Sequence, residues 1–275
     1  ALLSTGLALL LLLATLIPML VRADSPRTLS GQAAAAAPAA YSSNGWEQMF
    51  TAPAYPNGAR FHFYGMTFVN RQVGFAYGGD DWTGSAGPGR IYRTLDGGKT
   101  WTLVLSSGGW KIGMACADER NCWAGGKQGR VDRTTDGGDN WVQVNTYTWV
   151  GMGDTPPNPQ PTPTPFVAWI RSAAITTDGS TVLFGATDNT ILRSTDGNNF
   201  YNYWPPLNWW IAAWSVNCPS PTVCYAGQIN RLILKSTDAG VSWQMPAYVG
   251  PPENHDHCLT AEFPDPDPAE AGVQR

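Results

Sequence analysis

Charge is scarce in this chain, and lysine is scarcer still. Only 14% of the 275 residues are Asp, Glu, Lys or Arg, and the basic set comprises thirteen Arg and four Lys. With a net charge of −4 and a pI near 5.3, the chain lacks the basic face of a nucleic-acid binder, so no nucleic-acid partner is expected. Long helical periodicity is also missing after residue 24, which excludes helical bundles and coiled coils. Histidine occurs three times, and no spaced His/Cys/Asp/Glu set suggests a zinc site, so neither metal nor cofactor is implied. What is abundant is thirty Gly, twenty-two Pro and thirteen Trp, with 43% hydrophobic residues. Many turns and many aromatic strand plugs make an all-β composition.

One nine-residue pattern organises the rest. It reads basic, Ser/Thr, x, Asp, x, Gly or Asn, x, x, aromatic, and it occurs as Arg93–Trp101, Arg133–Trp141 and Lys235–Trp243, with a degenerate copy at Arg193–Tyr201. The Asp carboxylate can accept backbone N–H groups a few residues on, closing a tight turn. Glycine supplies positive φ there, and the aromatic opens the next strand with its ring under the turn. The predicted structural set is therefore Asp96, Gly98 and Trp101; Asp136, Gly138 and Trp141; Asp196 and Tyr201; and Asp238, Gly240 and Trp243. Spacings of 40 residues from Asp96 to Asp136 and 42 from Asp196 to Asp238 match a blade of four short strands, hence a β-propeller. The wider interval of 60 residues between Asp136 and Asp196 holds a polyproline-type insertion at 154–165, read as a surface loop.

Two units carry a second regularity. Cys116-x5-Cys122 and Cys218-x5-Cys224 each end 14 residues before a turn Asp. Equal spacing in aligned units predicts that each pair bridges the strands of one hairpin as a disulfide outside the cytoplasm. Cys258, in His255-Asp256-His257-Cys258, is left over and reads as a cysteine whose partner lies beyond the given sequence.

Upstream, residues 2–20 are almost unbroken apolar, and Val21-Arg22-Ala23 forms a small-residue cleavage context. Residues 1–23 are thus expected to be a signal peptide, with an uncleaved membrane anchor as the alternative. Residues 24–43 read as a flexible Ala/Pro/Ser-rich tether, and 44–275 as the propeller. Gly45–Met49 resembles the strand that follows a turn, so it is expected to complete the last blade of a ring. Four recognisable units with two partial edges point to part of a larger ring, a small closed ring being the alternative.

The Ser/Thr-x-Asp-x-Gly-x-x-Trp unit resembles the Asp-box, or BNR repeat, found in sialidases, some glycoside hydrolases, sortilin-like receptors and the photosystem II stability/assembly factor family. The stretch from Phe68 to Trp101, with Gly74-Phe75-Ala76 and Arg93-Thr94-Leu95-Asp96-Gly97-Gly98, is most similar to the blade of the assembly factors and related secreted bacterial proteins. That resemblance implies a non-catalytic scaffold, binding an extracytoplasmic or membrane protein complex. A sialidase-like or other glycoside hydrolase, or a glycan-binding module, is the alternative. No catalytic residue is assigned. The Arg-Ile-Pro opening of a sialidase is absent, only Ile170-Arg171 coming near, and Asp80, Asp81 and Glu119 form no recognisable acid pair. Arg93, Arg133, Arg193 and Lys235 sit three residues before each turn Asp. They read either as strand-end cations bonded to a neighbouring blade or, if docking is their role, as a rim that meets an acidic partner.

Overall fold

The computed structural model describes residues 48–80, 87–148, 164–165, 168–187, 190–203, 213–228 and 232–248. The apolar run 2–20, the tether, Trp46, Asp81, residues 154–163, Trp209, Trp210 and Cys258 lie outside them.

Among the described residues, runs of four to seven residues punctuated by Gly, Asp and Asn turns leave no length for long helices. The chain forms strands instead. The first blade comprises β1 (His62–Phe68), β2 (Gly74–Gly79), β3 (Gly89–Thr94) and β4 (Thr102–Ser107). The second comprises β5 (Lys111–Cys116), β6 (Cys122–Gly126), β7 (Val131–Thr134) and β8 (Val142–Thr148), with the two-residue β9 (Thr164–Pro165) paired to β8. The third comprises β10 (Ile170–Ile175), β11 (Val182–Ala186), β12 (Thr190–Ser194) and β13 (Asn199–Tyr203). The fourth comprises β14 (Ala213–Asn217), β15 (Cys224–Gln228), β16 (Leu232–Ser236) and β17 (Gln244–Tyr248). Each blade is an antiparallel meander in sequence order. First strands pack against first strands, β1 on β5, β5 on β10 and β10 on β14. The chain is thus an all-β propeller with four described blades. A 3-10 turn at Lys127–Gly129 is the one helical element among the described residues.

The hydrophobic core lies between blades. One apolar cluster joins Phe75, Tyr77 and Ile91 of the first blade to Met114, Cys122 and Ala124 of the second. The next joins Trp123 and Val131 to Ile170, Phe184 and Phe200, and the last joins Leu183 and Ile191 to Val216, Ala226, Leu234 and Trp243. Alternation along each second strand explains this: Phe75 and Ala76, like Trp123 and Ala124, point to opposite neighbours. With both faces covered, β2, β6 and β11 are buried throughout.

The outer strands of the middle blades are also joined. β8 and β13 pair in parallel, Asn145 with Asn199 and Tyr147 with Tyr201, and the two tyrosine rings stack 5.5 Å apart. This hides two edges that would otherwise template aggregation.

Residues 48–50 form no strand, and Phe50 packs on the first blade, 5.0 Å from Tyr92 and 6.2 Å from Phe63. Tyr55 donates to the Pro88 carbonyl, and Arg90 donates to that of Pro53 while covering the Tyr55 ring. The expected strand at Gly45–Met49 of a last blade thus gives way, from residue 48 on, to a strap on the first. The reason is the aromatic surface of β1 and β3, which no sequence period records.

Close approach of one first strand to the next requires glycine in β5. A Cβ on Gly113 of β5 would lie 2.6 Å from the Ser172 carbonyl carbon of β10, a backbone atom that cannot move aside. Gly113→Ala is expected to destabilise the fold by about 1–3 kcal/mol through overpacking, read as a lower midpoint in chemical denaturation.

Candidate functional site

Each Asp turn is a closed set of short hydrogen bonds. In the first, the Thr94 hydroxyl donates to Asp96 Oδ1 at 2.8 Å and accepts the Gly98 N–H at 2.8 Å. Thr100 donates its N–H to Asp96 Oδ1 at 2.9 Å and its hydroxyl to Oδ2 at 2.6 Å. Asn140 serves Asp136, and Ser242 serves Asp238, in the same way. This fourth residue after the Asp is a functional position that sequence reasoning treated as unspecified, although Thr100, Asn140 and Ser242 all carry a donor. The ring closes the turn from below, Trp101 Nε1 donating to Gly98 O at 3.0 Å and Trp243 Nε1 to Gly240 O at 3.2 Å.

The third turn is one residue shorter. Asn199, three after Asp196, supplies both backbone and side-chain donors, and Gly197 N–H bonds Ser194 three residues back. Phe200 is fully buried, whereas Tyr201, assigned by spacing to the place under the turn, stacks on Tyr147. The indole that meets the turn comes from the second blade, Trp123 Nε1 donating to Gly197 O at 2.8 Å.

The cations that precede each Asp reach forward to the next blade. Arg93 donates to the Gly137 carbonyl at 2.6 Å and pairs with Asp139 at 2.9 Å. Arg133 donates to Asn198 Oδ1 at 2.6 Å, and Arg193 to the Ala239 carbonyl at 2.8 Å. The docking alternative therefore loses these three arginines, whose guanidinium groups tie blades together. Lys235 Nζ stands 5.8 Å from the Tyr225 ring centroid. Beside two of the turns lie the cystine bridges Cys116–Cys122 and Cys218–Cys224. The loops they clip, at Arg120 and Thr222, accept the N–H of Gly137 and Ala239.

At the opposite end of the blades, where strands two and three connect and one blade passes to the next, the loops differ in length and composition. The starts of the first strands gather aromatic and cationic side chains there. Trp110 and Trp169 meet edge to face at 5.4 Å, and the Arg171 guanidinium lies 5.2 Å from the Trp169 ring and 4.7 Å from the Trp214 ring. Burial pulls the Arg171 pKa down, yet an arginine stays charged. Deeper in, Asp132 takes Lys111 and Arg130 together. Burial alone would raise the Asp132 carboxyl, but the Arg130 hydrogen bonds and the Lys111 charge hold it below its usual range. Asp80, weighed as a hydrolytic acid, is fully buried and accepts Trp110 Nε1 and the Gly87 N–H. Glu119 accepts the Asn70 amide on the turn side, and Asp81 lies outside the described residues. Among the described residues no three His, Cys, Asp or Glu side chains are grouped to hold a metal.

No protein-family model matches the chain, and no curated protein matches its sequence. Solved structures match its shape. The structure of U3-55K aligns with a TM-score of 0.53 at 9% identity, over 74% of this chain and 57% of that one. A GH74 enzyme of Niastella koreensis aligns with a TM-score of 0.44 at 14% identity, over 64% and 28% of the two chains. YCF48 from Cyanidioschyzon merolae gives 0.46 at 13%, over 75% and 62%. The chain thus spans between 28% and 62% of the length of these structures. The first likeness is one of fold, and the two below 0.5 are too loose to carry an argument.

The turn carboxylates set an acid limit on stability. Hydrogen bonds from Thr100 hold Asp96 at a pKa of about 2. For Asp136 burial opposes the shift, but the Asn140 bonds outweigh it and again leave about 2. A folded pKa below the unfolded value of 3.8 stabilises fully above that value, and the gain disappears as pH falls toward 2. Denaturant titrations should show stability falling across this window, with a shallower fall for Asp136→Asn; equal slopes would refute the assignment. Ala239 sits at φ 56°, where the first and second turns have Gly97 and Gly137. Ala239→Gly is expected to raise stability by about 1 kcal/mol.

Proposed function

We propose that the chain is a non-catalytic, extracytoplasmic β-propeller that binds a protein, as a scaffold or assembly/stability factor of a membrane or surface complex. The observation that carries this reading is the Trp169–Arg171–Trp214 cluster at the loop end. Trp and Arg are the side chains most often found at the energetic centre of protein interfaces. A guanidinium flanked by two indoles suits an apolar segment bearing a carboxylate, because the rings order it and exclude water. The Asp turn recurs from blade to blade and three of its arginines serve the joints, so selectivity belongs to the end where the loops vary more. The Asp-box resemblance to the assembly-factor family favours the same reading. Two cystines and the apolar run at residues 2–20, read as a signal peptide or membrane anchor, support a location outside the cytoplasm.

A glycan-binding role is the second reading, favoured by the half-buried indoles of Trp169 and Trp214, since a ring face can stack on a sugar. Burial of Asp80 argues against hydrolysis by that acid.

The test is co-purification of the native protein from mildly solubilised membranes with cross-linking and mass spectrometry. A stoichiometric protein cross-linked near Arg171 is expected, and Arg171→Ala should weaken its retention by about 2 kcal/mol or more. A protein recovered alone, with glycan-array binding that Trp214→Ala abolishes, would replace this reading with the second.

A further inference from the structure

The first strand of each described blade carries one extra residue at the same place. In β1 the partners step from Phe63 with Gly78 to Gly65 with Tyr77 and pass over Tyr64. In β5 the step from Lys111 with Gly126 to Gly113 with Gly125 passes over Ile112. In β10 the step from Ile170 with Ala186 to Ser172 with Gly185 passes over Arg171, and in β14 the step from Ala213 with Gln228 to Ser215 with Gly227 passes over Trp214. Each is a β-bulge, two residues of the first strand facing one of the second. Bulges re-aim a side chain and are concentrated at sheet rims and beside functional sites.

The backbone of this device is constant and its side chain is not. The residue after the bulge is small in all four blades: Gly65, Gly113, Ser172 and Ser215. Close packing of first strands demands this, since a Cβ on Gly113 would meet the β10 backbone. The bulged residue itself is a phenol, a branched alkyl, a guanidinium or an indole, and each is half-buried. None of the four belongs to the three apolar clusters between blades. A position that served only to pack the blade would repeat, as the Asp turn does. First strands lie side by side in chain order, so the bulges follow one another as Tyr64, Ile112, Arg171 and Trp214. The last two touch, the Arg171 guanidinium standing 4.7 Å from the Trp214 ring centroid.

We propose that the four bulged residues form a row that selects the partner, each meeting a successive side chain of one extended protein segment. Tyr64 and Ile112 thereby become specificity-determining residues alongside Arg171 and Trp214. The inference rests on the reading of the loop end as a protein-binding site and adds which residues choose the segment. The occupant follows from the charge of the row. One permanent cation stands between an alkyl group and an indole, with a phenol beyond. That order suits a single Asp or Glu with apolar neighbours on both sides. A fixed bulge with an exchangeable side chain lets one substitution per blade change selectivity while the strand pairing is kept.

The test is an array of short apolar peptides carrying one Glu, probed with the full chain. Each is paired with its Gln counterpart and with versions bearing a second Glu at every other position in turn. Wild type is expected to bind Glu peptides about tenfold more tightly than their Gln partners. Ile112→Lys should gain about tenfold for a second Glu on one side of the first. Tyr64→Lys should gain similarly for a second Glu on the same side but farther away. Urea denaturation checks that each variant folds, and either one suffices if the other does not. A merely structural role would lower the urea midpoint without moving the preferred position. Wild type indifferent to Glu against Gln overturns the proposal, even if co-purification still yields a protein cross-linked near Arg171 and so supports the broader reading. Folded Lys variants that select no second Glu also overturn it, as does the same preferred position for both.

Discussion

The joint between blades is the constraint on which the structure depends. A blade of four short strands has two apolar faces and no interior of its own, so neither face is stable until a neighbour covers it. The three apolar clusters each straddle two blades. A ring and a cation from one blade then fix the distance to the next by reaching its Asp turn. Burial of the ring supplies the larger share of that stabilisation. Fully burying a side chain of this size contributes about 1.5–3 kcal/mol, against about 0.2–1 kcal/mol for the exposed Arg93–Asp139 pair.

The Asp turn is the fixed point that makes the joint repeatable. Its carboxylate accepts from the fourth residue on, and its Ser or Thr hydroxyl holds the turn Gly from behind. The carbonyl after the Asp is thereby aimed outward, where the preceding blade's arginine finds it. In the second and fourth turns the acceptor is the carbonyl after the Asp, and in the shortened third it is the Asn198 side chain. The shortened third turn is met by Trp123, drawn across from the second blade.

This division of labour separates the two ends of the propeller. The turn end is occupied by structure: arginines bonded forward, cystines beside two turns, rings beneath glycines. The loop end is left to vary, and the Trp110, Trp169, Arg171 and Trp214 cluster is built from residues at the starts of first strands.

The sequence by itself determined the turns and the unit length. The hydrogen bonds that the turn carboxylate accepts close within four residues, so residue types at fixed spacing are sufficient for them. The all-β architecture follows from the same punctuation. The direction of the arginines was decided by tertiary structure, because Arg93, Arg133 and Arg193 bond residues 44, 65 and 46 positions away. No local pattern encodes which blade lies next. Spacing alone placed Tyr201 in the third turn, since a one-residue deletion is invisible until hydrogen bonds show which donor the Asp uses. The Trp169–Arg171–Trp214 cluster was equally hidden: its members come from two blades and meet only when the first strands lie side by side.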